Sequence, residues 1–357
     1  MADAAAMAPV IGEEDQSPGG AGTSGIPTWG SSRSKFGALP WTDYFDEELD
    51  VEIGQDSFHV YLAGTQGPVL FCLHGGGSSG LSFALSARML KEKVKVAAMD
   101  MRGHGSTRTS DDLDLSAETL CQDVLDVIRT MYKNDPPSIV LIGHSMGGAI
   151  ATRVAAKRVL RTLAGLIVVD VVEGTAIASL IHMQKLLSNR PPAFPSVEKA
   201  IEWNVKGGSL RNIDSARVSI PPTLKYNEER KCYVWLTPLE KSERHWRGWY
   251  LHFCTNTVFI FEEIILLCRY EGLSDIFLSA PVAKVLLLAG TDRLDKSLTI
   301  GQMQGKFQMI VVRHTGHAIQ EDVPEEFSSL VLTFVARNRI GAHGIDIPGL
   351  IRQRRSA

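Results

Sequence analysis

Ser145 stands between Gly143 and Gly147 at the end of an apolar run, in the stretch Ile142-Gly143-His144-Ser145-Met146-Gly147-Gly148. This is the G-x-S-x-G spacing of a nucleophile elbow, in which a strand turns sharply into a helix and pushes a serine hydroxyl out at the turn. The serine backbone is strained there, and glycines on both sides let strand and helix approach closely. The amide that follows, that of Met146, then points where a carbonyl oxygen would become an oxyanion. The chemistry implied is acyl transfer through an activated serine.

A serine hydroxyl needs a base, and imidazole is the usual one. Among ten histidines the best placed is His317, in a Gly-His loop between the last strand and the last helix. His59, His182, His245, His252 and His343 read as surface or satisfied core groups, His144 as packing, and His74 as support for a glycine loop. The imidazole in turn needs a carboxylate. Asp292 follows the penultimate strand, where α/β-hydrolases most often carry their acid, and Asp170 ends the strand after the nucleophile helix. Pattern alone favours Asp292 over Asp170; Asp295 and Asp100 are weaker, and Asp100 reads as the anchor of the turn at Arg102. The order Ser, Asp, His matches the α/β-hydrolase order. An oxyanion hole would use the backbone amides of Met146 and of the His74-Gly75-Gly76-Gly77 loop, with Gly76 the better fit.

Phosphate-cradling patterns and metal-ligand spacings are absent, so no cofactor and no metal are expected. A serine at the elbow also argues against the branches of this fold that need a carboxylate nucleophile. A net charge of -3 argues against a nucleic-acid partner. Five scattered cysteines, with no C-x-x-C pair, suit a reducing compartment.

Strand patterns at 68–73, 94–99, 138–142, 166–170, 285–290 and 309–312 alternate with loops and helical segments, one of them Ala117 to Tyr132 with Ser116 as N-cap. That alternation predicts an α/β-hydrolase fold: a mostly parallel central sheet, helices on both faces and a helical cap insertion. In such sheets reactive groups gather at the carboxyl ends of strands, which puts His74, Ser145, Asp170, Asp292 and His317 on one rim. Val51–Ile53 and Phe58–Leu62 read as two edge strands of a hairpin. Residues 1–38 read as a disordered tail, 39–340 as the hydrolase domain with a cap at about 171–280, and 341–357 as a second tail.

Several blocks resemble the protein phosphatase methylesterase family: the elbow, Val169-Asp170-Val171-Val172-Glu173-Gly174-Thr175-Ala176, Ala200-Ile201-Glu202-Trp203, Asp214-Ser215-Ala216-Arg217-Val218-Ser219, the Asp292-Arg293-Leu294-Asp295-Lys296 region, and Gly316-His317-Ala318 with Glu321-Asp322. The similarity runs from about Pro40 to Arg339. It implies a serine carboxyl-esterase acting on the C-terminal leucine methyl ester of the protein phosphatase 2A catalytic subunit. It also suggests cytoplasm and nucleus, and it moves the acid to Asp170, leaving Asp292 second; a monomer with no membrane contact is expected. The segment Leu251 to Arg269, rich in Phe, Ile, Leu, Val and Cys, departs from the family pattern. It is too interrupted by Glu262-Glu263 for a membrane span, and a retained intron is the preferred explanation. Two readings compete with the methylesterase: a small-molecule or lipid esterase, and a non-catalytic ligand receptor on the same fold.

Overall fold

Val69-Leu70-Phe71-Cys72-Leu73 is apolar at five successive positions, and all five side chains are buried. A strand covered on both faces uses such a run. The computed structural model describes residues 34–133, 137–171, 183–185, 187–253, 270–290 and 295–341. In it this run is β3 (Val69–Leu73), after β1 (Glu47–Ile53) and β2 (Asp56–Ala63) and before β4 (Lys95–Met99), β5 (Ile139–His144) and β6 (Leu163–Val169). With β11 (Ala283–Leu288) and β12 (Gln308–Val311), numbered in chain order after the short pairs below, they form an eight-stranded sheet in the order β1-β2-β4-β3-β5-β6-β11-β12. Pairing is parallel from β4 through to β12 and antiparallel at β1–β2 and β2–β4. The hairpin expectation holds, but β2 is not an edge strand, because β4 flanks it.

One face of the sheet carries α2 (Ala117–Tyr132) and α3 (Met146–Ala156); the other carries α1 (Ala84–Leu90) and, near the C-terminus, the helix Pro324–Arg337. Ser116 caps α2 by accepting from the Thr119 amide at 3.4 Å. Small residues along α3 (Gly147, Gly148, Ala149, Ala151, Ala155) are all buried, so the helix lies close under the sheet.

Between β6 and β11 the described chain forms α4 (Val197–Lys206), α5 (Ile213–Ser219), the antiparallel pair β7 (Leu224–Asn227) and β8 (Cys232–Trp235), and α6 (Glu243–Tyr250). A cap read as helical therefore also contains a small sheet, whose alternating side chains are too few to stand out by period. The cap has its own apolar cluster, in which Phe194, Ala200, Ile201 and Ile220 are buried with Trp203 and Trp235 against them. Phe36 also joins this cluster and the Gly37 carbonyl accepts from Arg217 Nε at 2.6 Å, so two residues assigned to the N-terminal tail are anchored. β9 (Leu251–Phe253) pairs antiparallel with β10 (Tyr270–Gly272), so the two ends of the unusual apolar segment lie side by side. Its residues 254–269, most of both tails and Asp292 lie outside the described residues. α7 (Leu273–Ser279), α8 (Lys296–Met303), α9 (Ile319–Asp322) and α10 (Pro324–Arg337) complete the chain.

Candidate active site

Ser145 has φ +52°, in the left-handed region that a side chain rarely adopts. The crossing of β5 and α3 dictates the flanking glycines. A Cβ on Gly143 would lie 2.2 Å from the Gly147 carbonyl oxygen, and one on Gly147 would lie 2.3 Å from that of Leu73. The strained turn is pinned by backbone bonds from Ser145 N–H to Val169 C=O (3.0 Å) and from Gly147 N–H to His74 C=O (3.1 Å).

Asp170 repeats the device one strand over. It follows β6 with φ +50°, its N–H bonded to Leu287 C=O at 2.8 Å. The carboxylate is fully buried: Oδ1 accepts from Ala289 N–H (2.9 Å) and Oδ2 from His317 Nδ1 (2.7 Å). With the proton held on Nδ1, the other ring nitrogen of neutral His317 is left to act as a base. The imidazole is about half exposed while its partner is sealed. Among the described residues no hydrogen bond joins Ser145 Oγ to His317; both side chains line one cavity.

His144, read from sequence as packing, also bonds to the His317 loop. Its Nε2 donates to the His317 carbonyl at 3.0 Å, and the two rings sit 4.6 Å apart between centroids. Burial, then the neighbouring His317, push its pKa down to about 3, so it remains a neutral spacer. Asp295 is placed elsewhere: it caps α8 through the Leu298 amide and accepts from Ser274 Oγ. Asp100 holds the amides of Gly80 (2.7 Å) and Ser106 (2.8 Å), anchoring the turn after β4.

Two buried histidines shape the glycine loop. His74 Nε2 accepts from Met101 N–H (3.0 Å) and its Nδ1 donates to Gly75 C=O (2.8 Å). His104 Nε2 accepts from Gly77 N–H (2.8 Å) and its Nδ1 donates to Arg102 C=O (2.8 Å). A backbone N–H can only donate, so each ring must be neutral with its proton on Nδ1. Burial lowers both pKa values, that of His104 to about 4. The Gly77 amide is thus spent, whereas those of Gly76 and Met146 have no partner among the described residues. His104 carried no sequence signal beyond its place in the Gly103–Gly105 turn.

The cavity in front of Ser145 and His317 has a volume of about 560 Å³. Its far wall comes from the cap, with Trp203, Ile220, Trp235 and Trp246 among its apolar members. Glu321 also lines it, buried, accepting from Ser215 Oγ of α5 at 3.0 Å; burial raises its carboxyl to about 7.

A strained serine, a buried aspartate bonded to a histidine and this sheet order define an α/β-hydrolase. The sequence matches the Alpha/beta hydrolase family over residues 69–330. Among solved structures, E-2-(acetamidomethylene)succinate hydrolase superposes with a TM-score of 0.64 at 18% identity, covering 81% of this chain and 98% of that one. A thioesterase domain from the curacin biosynthetic pathway gives 0.58 at 21% identity, covering 80% and 98%. Sequence relatives are closer. Protein phosphatase methylesterase 1 of Mus musculus is 42% identical, covering 88% of this chain and 89% of the relative; that of Schizosaccharomyces pombe is 39% identical, covering 84% and 85%. The chain belongs to the protein phosphatase methylesterase 1 family. It is a carboxylic ester hydrolase.

Proposed function

We propose that this chain demethylates the C-terminal leucine methyl ester of the protein phosphatase 2A catalytic subunit, using Ser145, His317 and Asp170. His317 Nε2 takes the Ser145 Oγ proton as the oxygen attacks the ester carbonyl. The Met146 and Gly76 amides receive the oxyanion. Collapse breaks the ester C–O bond, and the proton on His317 passes to the departing methoxide as methanol. Water, deprotonated by His317, then attacks the acyl-serine and releases the leucine carboxylate. Asp170 keeps the imidazole in the productive tautomer and stabilises its charged form.

The observation that carries this reading is the 2.7 Å contact between His317 Nδ1 and the buried Asp170 carboxylate, beside the Ser145 elbow and at a shared cavity. Family membership supports the choice of a phosphatase ester. The test is loss of methyl ester from purified methylated catalytic subunit. Wild-type protein should release methanol and Ser145→Ala should not; equal release by both, or by neither, would refute the reading.

A further inference from the structure

The cavity holds a cation that the hydrolytic steps do not use. Arg190 lines it, half-buried, next to Pro191. Its guanidinium sits 3.8 Å from the centroid of Trp235, and that ring is fixed because Trp235 Nε1 donates to Pro191 C=O at 3.0 Å. Other partly or fully buried arginines are satisfied: Arg102 by Asp123 and Asp56, Arg153 by the Gly248 and Trp249 carbonyls, Arg217 by the Gly37 carbonyl and Asp214. No acceptor and no ion-pair partner of the Arg190 guanidinium is found among the described residues. Glu240 is near enough to favour its charge, yet beyond ion-pair distance, and it is exposed beside Lys241, Arg244 and Arg247. Burial pulls the Arg190 pKa down. A desolvated cation without a counter-ion is costly. Stacking on a tryptophan face recovers part of that cost and leaves the edge of the guanidinium fork open.

We propose that Arg190 is a specificity residue of this cavity, binding the carboxylate of an acidic side chain in the peptide segment that precedes the ester. The proposal rests on the peptide-ester reading above. Methylation removes the charge from the chain end, so a carboxylate that meets Arg190 in an esterified substrate comes from a residue upstream. Trp235 forms a wall against which the peptide stem can pack while the planar fork takes both carboxylate oxygens.

The test uses the Ser145→Ala protein, which binds without turnover, and fluorescent peptides ending in leucine methyl ester. One series moves a single Asp through the residues before the ester, a second places Asn and a third Lys at the same positions, and a fourth is neutral with a free C-terminal carboxylate. Fluorescence anisotropy reads the affinities. At one position Asp should bind about 10- to 100-fold tighter than Asn, the size of a charge-assisted hydrogen bond. Arg190→Gln should bring that ratio to about one, and Arg190→Glu should turn the preference towards Lys. An Asp series no tighter than the Asn series at any position overturns the proposal without recourse to any variant. So does an acid preference that survives Arg190→Gln. Tighter binding of the free-acid peptide, abolished by Arg190→Gln, would make Arg190 a product site and overturn it too. Failure of all ester peptides to bind, acidic or neutral, would sink the peptide-ester reading itself.

Discussion

Around Ser145, the sheet rim and the cap treat polar groups in opposite ways. On the rim, His74, His104, Asp100 and Asp170 are buried and each is committed to named partners. On the cap side, Trp203, Ile220, Trp235 and Trp246 form an apolar wall, in which Asn204 and Thr223 turn their side chains to the Ala200 and Ile220 carbonyls but Arg190 is not committed. Arg190 has no counter-ion among the described residues. A rim with satisfied groups is rigid and suits chemistry, which needs sub-ångström placement. A wall with spare donors suits recognition, because a ligand can supply the missing partners. Glu321 lies on the seam, bonded from the rim helix α9 to Ser215 of the cap helix α5.

The largest effect should come from breaking the rim. Asp170→Asn would no longer hold the Nδ1 proton of His317 in the productive tautomer, and turnover of a small ester should fall about 10⁴-fold. Asp292→Asn and Asp295→Asn should cost far less. Near-wild-type turnover by Asp170→Asn would remove Asp170 from the mechanism.

A smaller loss is expected from His144→Phe, which keeps the ring volume but deletes the donor to the His317 carbonyl. We expect kcat to fall about tenfold with little change in KM, since the imidazole is less well placed rather than missing. His144→Gln, retaining an amide donor, should recover part of the loss. A rise in KM alone would show that His144 shapes the cavity instead.

The smallest effect lies at the seam and is read in stability. The Glu321 carboxyl is raised to about 7 by burial, above its ordinary value of 4.5. The folded protein therefore holds a proton that the unfolded chain has lost, so this contribution is full below pH 4.5 and disappears as pH rises through about 7. The limiting slope is about 1.4 kcal/mol per pH unit. Thermal melts from pH 5 to 8 should show a flatter Tm profile for Glu321→Gln, with the residual slope at the acid end from Asp100, raised to about 6 by burial. Identical slopes would mean that Glu321 is already ionised in the folded protein.

Much of the fold was legible because periodicity is local. The apolar run at β3, the Ser116 cap of α2 and the small-residue face of α3 each follow from neighbours in sequence. The cap was less legible. Its β7–β8 pair has four residues per strand, none of them buried, so alternation between core and solvent leaves a weak trace. His104 and His144 were not marked for their contacts because their partners, Gly77 and His317, lie 27 and 173 residues away. Arg190 carries no motif, and Glu321 stood only in a block of family resemblance with no role attached; what distinguishes them is a shared cavity assembled from distant segments.

Sequence alone determined the nucleophile turn, because a serine at φ +52° between two crossing backbones needs glycines within two residues, and that demand is written locally. It left two aspartates competing by position, and family resemblance rather than spacing moved the choice. Only the tertiary structure brought the Asp170 carboxylate 2.7 Å from His317 across 147 residues of chain. The physical reason is that a carboxylate at one strand end and an imidazole in a distant loop meet only once the parallel strands between them have paired.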